Sequence, residues 1–491
     1  MVKHASGALL SAITLDRSAR RSIGVQLYMA LRDIILSGGL RPGERLPATR
    51  VLARETGVSR TTVIDAVDRL VAEGIVEARV GAGTFVSDTL DQRQAIPLRA
   101  EAPAEQAPRL ARTLTAGEGH FARRSWLPHE ARAFVTALPA LDAFPMAHWA
   151  RLSARHLRGG RGAVMGYGEP KGLEALRRAI ATHLGAMKGI RCSAEQIFIT
   201  CGAQQAFSLI ARLFLDPGDR VWMENPGASG ARNALVSEGA RLVPVDVDGE
   251  GMVVADGLAK APRFRLAFVT PSHQQPLGHV MSLQRRFELL KAAEEAGALV
   301  IEDDYDGEFY YGNAPQPPLY GTDIRGRVLY VGTFSKTLFP ALRLGFILAP
   351  ERMVPAFDWM FQLWASGPPT ATQAIVADFM DEGHFASHVR LMRRLYKARY
   401  EALMEAAGDL PGAIALRETA SGFHTDAALA PEVSEADVVA QAAERGVVLA
   451  PLGRYCLAPI RQSGLVFGFG SAAPEDIRAG IRVLRDLPVF S

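Results

Sequence analysis

The chain has 491 residues, 48% of them apolar and 22% charged, with a formal net charge of +3. At roughly 100–200 residues per domain this is too long for one small module, and the composition excludes disordered, collagen-like and coiled-coil classes. The charge is unevenly spread: residues 1–86 hold 12 Lys and Arg against 8 Asp and Glu, so the N-terminal sixth carries a net +4 and the remainder −1.

In chain order, the first 86 residues predict three helices and a hairpin. Val25, Leu27, Leu31, Ile34 and Ile35 fall near helical spacing, and Gly38-Gly39 stops that helix. A second helix follows Pro47, carries Val51 and Leu52, and ends at Gly57. Ser59 is placed to N-cap a third, on which Val63, Ile64, Val67, Leu70 and Val71 form one apolar stripe closed by Gly74. Residues 75–79 and 84–86 alternate as short strands around Gly81-Ala82-Gly83. Residues 87–114 are rich in Ala, Pro, Gln, Glu and Arg with few aromatics, the composition of a flexible linker. Over 115–491, apolar strands at 196–200, 265–269, 298–301, 328–331 and 344–348 alternate with amphipathic stretches such as 173–184 and 283–296. Strands apolar on both faces and separated by helices predict an α/β domain with a mostly parallel sheet.

Cys192, Cys201 and Cys456 have no CxxC spacing and are too few for a disulfide framework or a typical zinc site, which fits a reducing cytosol. Only a short apolar run precedes Asp16 and Arg17, and no run of eighteen apolar residues occurs. A cytoplasmic protein with no membrane partner is therefore expected.

Three helices and a hairpin are the layout of a winged helix-turn-helix, whose third helix enters the major groove of double-stranded DNA. Arg60, Thr61 and Thr62 occupy the first turn after Ser59, where side chains reach base edges and the helix N-terminus attracts phosphate. Arg50 opens the second helix, and Arg79, Gly81, Gly83 and Thr84 fall on the wing, where glycine lets backbone approach a phosphate. The alternative for any single Arg is an ordinary solvated charge. The strings RPGERLP (41–47), LARETGVSRTTV (52–63) and EGI…RVGAGTFV (73–86) resemble the GntR-type winged helix from end to end, with Ala48 where that family more often has Ser.

The chain has seven lysines, and Lys336 follows a buried strand in YVGTFSKTL (330–338), beside Thr333 and Ser335 and seven residues before Arg343. An amine at a strand's C-terminal end, next to hydroxyls and a guanidinium, suits a Schiff base beside a phosphate site. A second strand ends in EDDYD (302–306). There a carboxylate can pair with a protonated pyridine nitrogen and a phenol can bond the ring oxygen, the alternatives being an acidic loop or a divalent-ion site. A third ends in TCGAQQ (200–205) and opens a helix, so the N–H groups of Gly202, Ala203 and Gln204 can cradle a phosphate.

These strand ends resemble the fold-type-I aminotransferase domain over residues 115–491. By that resemblance Lys336 carries pyridoxal 5′-phosphate, Asp303 meets the pyridine nitrogen and Tyr305 the ring oxygen, Ser335 and Arg343 belong to the phosphate cup, and Thr333 is a further cofactor-binding residue. Tyr167, in GYGEPKGL (166–173), matches a tyrosine that reaches the partner subunit's phosphate, which implies a homodimer; no metal is expected. A GntR-like reader fused to such a domain resembles the MocR/GabR type of transcriptional regulator. TPSHQQPLG (270–278) is similar to that subgroup, with Gln275 where ordinary aminotransferases more often have Asn, and His273 is read as a structural or cofactor-positioning group or a base. Ala228 departs from the subgroup's stacking aromatic, and the space left over the ring would admit a bulkier effector.

The resemblance implies domains at 1–86, 87–114 and 115–491 and a regulator that senses a small amino acid, amine or pyridoxal compound. Arg454 and Arg232 are the candidates for an effector carboxylate, each with a structural Arg as the alternative. Enzymatic turnover is not the expected primary role, although half-reactions with the cofactor remain open. The competing readings are a genuine aminotransferase with an appended DNA-binding domain, or a regulator that senses pyridoxal phosphate supply alone.

Overall fold

The computed structural model describes residues 13–19, 21–79, 81–89, 111, 121–122, 132–159, 165–311, 317–364 and 367–490. The chain divides into two compact units, Met1–Arg109 and Leu110–Ser491. Of the expected linker at 87–114, all but 87–89 and 111 lies outside the described residues.

In the first unit, helices α1 (Ile23–Leu36), α2 (Thr49–Thr56) and α3 (Arg60–Ala72) precede strands β1 (Val76–Arg79) and β2 (Gly83–Val86), paired antiparallel. Gly57 adopts φ +67° at the end of α2, a left-handed turn that favours glycine. Leu27, Leu31, Ile35, Leu52, Val63, Ala66, Val67 and Leu70 form the core. The stripe on α3 is thus narrower than expected, because Ile64 and Val71 sit one position round the helix and are each 37% exposed. The hairpin also gains an unexpected third segment. Leu46 N–H donates to Thr84 O and Val86 N–H to Glu44 O, with Arg45 bridged to Phe85.

The second unit holds an eight-stranded sheet in the order β3 (Ile197–Thr200), β10 (Gly345–Leu348), β9 (Val328–Thr333), β8 (Leu299–Asp304), β7 (Leu266–Val269), β4 (Arg220–Asn225), β5 (Arg241–Asp248), β6 (Gly251–Met252). The pairs β9/β8, β8/β7, β7/β4 and β4/β5 are parallel. β10 runs antiparallel to both β3 and β9, so its N-terminal end lies beside their C-terminal ends. Alternate residues face opposite layers: Leu266 and Phe268 of β7 join Phe198, Ile301 and Leu329, whereas Ala267 and Val269 join Trp222, Val300 and Val328. A four-stranded antiparallel sheet, β11 (Ile414–Leu416), β12 (His424–Leu429), β14 (Gly464–Gly468), β13 (Ala450–Pro451), completes a smaller lobe. No described helix is long and apolar enough to cross a membrane.

Candidate functional site

On the first unit the expected DNA face is built from helix ends and the wing. Ser59 Oγ accepts the Thr62 N–H at 3.1 Å and lies 2.8 Å from Thr62 Oγ1, so both side chains serve the cap of α3. Arg60 and Thr61 project from the same turn, exposed, and Arg50 is exposed on the first turn of α2. On the wing, Arg79 lies 4.7 Å from the Phe85 ring centre and within 3.5 Å of Asp88, which offsets part of its charge; Gly81 is exposed and Thr84 half-buried. Gly83 adopts φ +112°, a conformation that favours glycine, and the exposed Arg45 side chain packs over it.

On the second unit a cavity of about 690 Å³ opens where β3, β8 and β9 end. Lys336, Asp303, Tyr305, Thr333, Ser335, Arg343, Ala203, Gln204, Gln275, Ala228 and Arg454 all line it. Lys336 Nζ donates to Ala137 O at 2.6 Å. The Thr333 hydroxyl accepts the Ser335 N–H at 3.2 Å, fixing the turn that presents Lys336. Arg343 arrives through the reversal of β10, and its guanidinium lies 3.8–3.9 Å from where a Gly202 Cβ would sit. Gly202, at φ +91°, opens the helix Ala203–Phe214, whose first N–H groups have no helical acceptor.

The acidic run separates by facing. Glu302 accepts the Leu319 and Tyr320 N–H groups at 2.8 and 2.7 Å. Asp304 takes Lys188 Nζ at 2.8 Å and the Tyr330 hydroxyl at 2.7 Å. Asp303, between them on β8, turns toward the cavity, where its Oδ1 is buried with no hydrogen-bond partner. Burial, then the negative charges of Asp304, Asp306 and Glu224, push its pKa well above the carboxylate range, against the pull of Lys336. A buried carboxyl with a free oxygen fits a cationic partner, and a protonated ring nitrogen is one that this lining would suit. The four acids do not converge as the ligand shell of one divalent ion.

Two expected residues stand elsewhere. Arg232 is 7% exposed and donates to Cys456 O at 2.6 Å and Arg454 O at 3.2 Å, so its fork is spent on the loop that carries Arg454 and it does not line the cavity. Burial lowers its pKa. Tyr167 is fully exposed and is absent from the lining of its own chain's cavity. Residues the sequence reading missed include Asn233, whose amide accepts the Ala122 N–H and donates to Ala122 O, both at 2.8 Å, pinning that part of the cavity wall. Phe144 and Phe339, 5.0 Å apart edge to face, supply an apolar wall.

Comparison with known proteins agrees with both units. The bacterial regulatory protein gntR family matches residues 24–86, and the aminotransferase class I and II family matches residues 139–464. The probable rhizopine catabolism regulatory protein MocR of Rhizobium meliloti is 38% identical over 480 residues, covering 96% of this chain and 95% of that protein. The chain belongs to the MocR-type transcriptional regulators. Among other members of this family, the regulator TauR of Rhodobacter capsulatus is 34% identical, with 95% of this chain and 96% of the relative covered. The MocR-type large unit also resembles the α-aminoadipate aminotransferase of Thermus thermophilus, solved with N-(5′-phosphopyridoxyl)-L-leucine. That likeness has a TM-score of 0.69 and 28% identity, covering 75% of this chain and 95% of that one.

Proposed function

We propose that this chain is a cytoplasmic, homodimeric regulator that carries pyridoxal 5′-phosphate on Lys336 and alters its grip on a double-stranded DNA operator when a small amino compound enters the large unit. One observation carries the reading. Lys336, the unpartnered Asp303 Oδ1 and the Arg343 guanidinium beside a helix N-terminus converge on a single cavity, in a chain that also carries a winged helix.

In this reading the protein's own groups divide the work. Asp303 holds the proton on the ring nitrogen. Arg343, Ser335, Thr333 and the N–H groups of Gly202, Ala203 and Gln204 bind the phosphate, while Gln275 and Tyr305 face the ring oxygen. Tyr167 serves the partner subunit's pocket, which accounts for its full exposure here. Arg454 receives the effector carboxylate as a fork. The cofactor, when bound, supplies an electron sink and a link to Lys336 that a primary amine can displace. Effector binding then shifts the dimer between two arrangements to the extent that it favours one of them. Half-reactions with amines remain within reach of the same groups, but turnover is not the primary role.

The test uses the full chain. A visible cofactor band is expected that vanishes in Lys336→Ala, together with a footprint on the upstream DNA that changes on adding candidate amines. A colourless protein overturns the cofactor reading. Sustained conversion of an amino acid and a keto acid over many turnovers would make the protein an aminotransferase with an appended reader.

A further inference from the structure

Behind the Tyr305 phenol runs a buried polar chain that the assignments above leave unused. Tyr305 Oη lies 3.0 Å from His273 Nδ1, and the two carboxylate oxygens of Asp306 lie 3.0 and 3.1 Å from the same nitrogen. Tyr305 is 7% exposed, His273 and Asp306 1% each. His273 Nε2 faces the Thr419 hydroxyl at 3.4 Å, and the His424 ring packs 4.7 Å from the His273 ring. The cage is tight. A Cβ at Gly422, which adopts φ +75°, would lie 2.1 Å from His273 Cε1 and 2.6 Å from an Asp306 oxygen, so the imidazole is clamped in place.

One nitrogen therefore serves two partners, and this sets the direction of the protons. Nδ1 offers a single in-plane site, either an N–H or a lone pair. Burial raises the Asp306 pKa and the His273 contact pulls it back down; as a carboxylate Asp306 accepts a hydrogen bond far more strongly than a phenol does, and so keeps Nδ1 in its N–H form. Tyr305 Oη can then only accept from that N–H, and its own proton must point elsewhere. The phenol also lines the cavity. With a lone pair on Nδ1 instead, the phenol would donate backward to His273 and turn its proton away from the cavity.

We propose that Asp306 and His273 are positioning residues that aim the Tyr305 O–H into the cavity, at the ring oxygen of bound pyridoxal phosphate; the proposal rests on the cofactor reading above. Burial, then the charges of Asp306, Asp303 and Glu224, raise the Tyr305 pKa far above its ordinary value, so the phenol keeps the proton it is to donate. The other titratable groups facing the cluster are Asp304, Glu308 and Tyr311 next to Asp306, and Lys336, His279, His424 and Tyr455 from the surrounding segments. All are shared by the variants below and set a common baseline. His273, Asp306 and His424 also place one potential ligand atom each within 4.8 Å of one another, so metal content belongs in the test.

The experiment follows the pH midpoint of the visible band of the cofactor-loaded full chain. A donor to the ring oxygen favours the unprotonated form, so Tyr305→Phe raises the midpoint. Asp306→Asn and His273→Ala are expected to raise it by about half a pH unit or more. His273→Asn, whose side-chain N–H can stand in for Nδ1–H, stays near the wild type and guards against a folding defect. In a Tyr305→Phe background Asp306→Asn adds no further shift. The proposal is overturned if Tyr305→Phe moves the midpoint while Asp306→Asn and His273→Ala do not, or if the shifts simply add. It is overturned equally if the protein holds a stoichiometric metal whose removal reproduces the Asp306→Asn shift. A wild-type protein with no visible band overturns the cofactor reading and this proposal together, which separates the two failures.

Discussion

Replacing the carboxyl of Asp303 with an amide of the same shape is expected to stabilise the protein when empty and to weaken it when loaded. Asp303 is 6% exposed and its Oδ1 has no partner. Each unit by which burial raises the folded-state carboxyl pKa costs about 1.4 kcal/mol of stability at neutral pH, a cost an amide does not carry, so Asp303→Asn should return about 1–2 kcal/mol to the empty protein. For a unit of this size that is a rise of about 1–3 °C in melting temperature. Pyridoxal phosphate at a hundred times its Kd adds about 2.7 kcal/mol to the wild type. A variant that binds a hundredfold more weakly gains only about 0.4 kcal/mol at that concentration. The order of the two melting curves therefore reverses on adding cofactor. The pH dependence follows from linkage. The folded pKa is raised above the unfolded value, so stability is greatest below the unfolded value and is lost as pH rises toward the folded one. The advantage of the empty variant should accordingly be larger at pH 8 than at pH 5.5. Differential scanning fluorimetry on cofactor-stripped and reloaded protein reads all of this. An empty Asp303→Asn protein that melts below the wild type, or a cofactor increment equal in both, refutes the reasoning.

Glu224 offers an independent pH test: burial pushes its pKa up to about 7, while the hydroxyl of Thr270, 2.7 Å away, and Gln274 pull it down. Stability tied to Glu224 is thus lost as pH rises from about 4.5 to 7, and Glu224→Gln should flatten that part of the melting profile; parallel profiles would contradict it. Ser59→Ala removes the acceptor for the Thr62 N–H and should cost the reader unit about 1 kcal/mol, with a matching loss of operator affinity, read by chemical denaturation and fluorescence anisotropy. Undiminished stability would mean that Ser59 does not cap α3. Ala228 is 4% exposed and lines the cavity, so Ala228→Tyr should shift effector preference toward smaller amines by about tenfold or more in a footprint titration. Equal selectivity in the variant would sink the idea that the space over Ala228 sets effector size.

What could be read from the residues alone follows from how local each determinant is. Strands β7, β8, β9 and β10 announce themselves because both faces are buried and every position is apolar or small until the functional end. β5, toward one side of the sheet, is exposed or half-buried at all but Val245, and carries no such run. The smaller lobe's strands span only 2–6 residues and include Gly, Pro, Thr and Asp, too short and too polar for alternation to register. Strand direction leaves no trace in hydrophobicity. Nothing in GFIL (345–348) says that β10 runs backward, yet that reversal brings Arg343 to the site.

The acidic run shows where chemistry and geometry divide. Four acids in five residues are equally compatible with a cation shell and with one carboxylate for a ring nitrogen, because the choice depends on partners that are distant in sequence. Lys188 lies 116 residues before Asp304, and the imidazole of His273 lies 33 before Asp306. Once those partners are in place, a strand's period of two leaves only Asp303 turned to the cavity. Its neighbours in the run are neutralised or hydrogen-bonded in other directions, so within the run the unpartnered buried oxygen is the one on the cavity side, where the proposed cofactor's cation would meet it. Distant partners decide Arg232 as well: its two terminal nitrogens donate to carbonyls 222 and 224 residues away, and among the described residues the arginines that line the cavity are Arg343 and Arg454. If Arg343 binds phosphate as proposed, Arg454 is left as the fork for a carboxylate effector, and an effector class lacking a carboxylate would leave Arg454 without a counter-charge. Amino acids should therefore displace simple amines of equal size in a competition footprint, and Arg454→Met should abolish that preference while leaving the visible band unchanged.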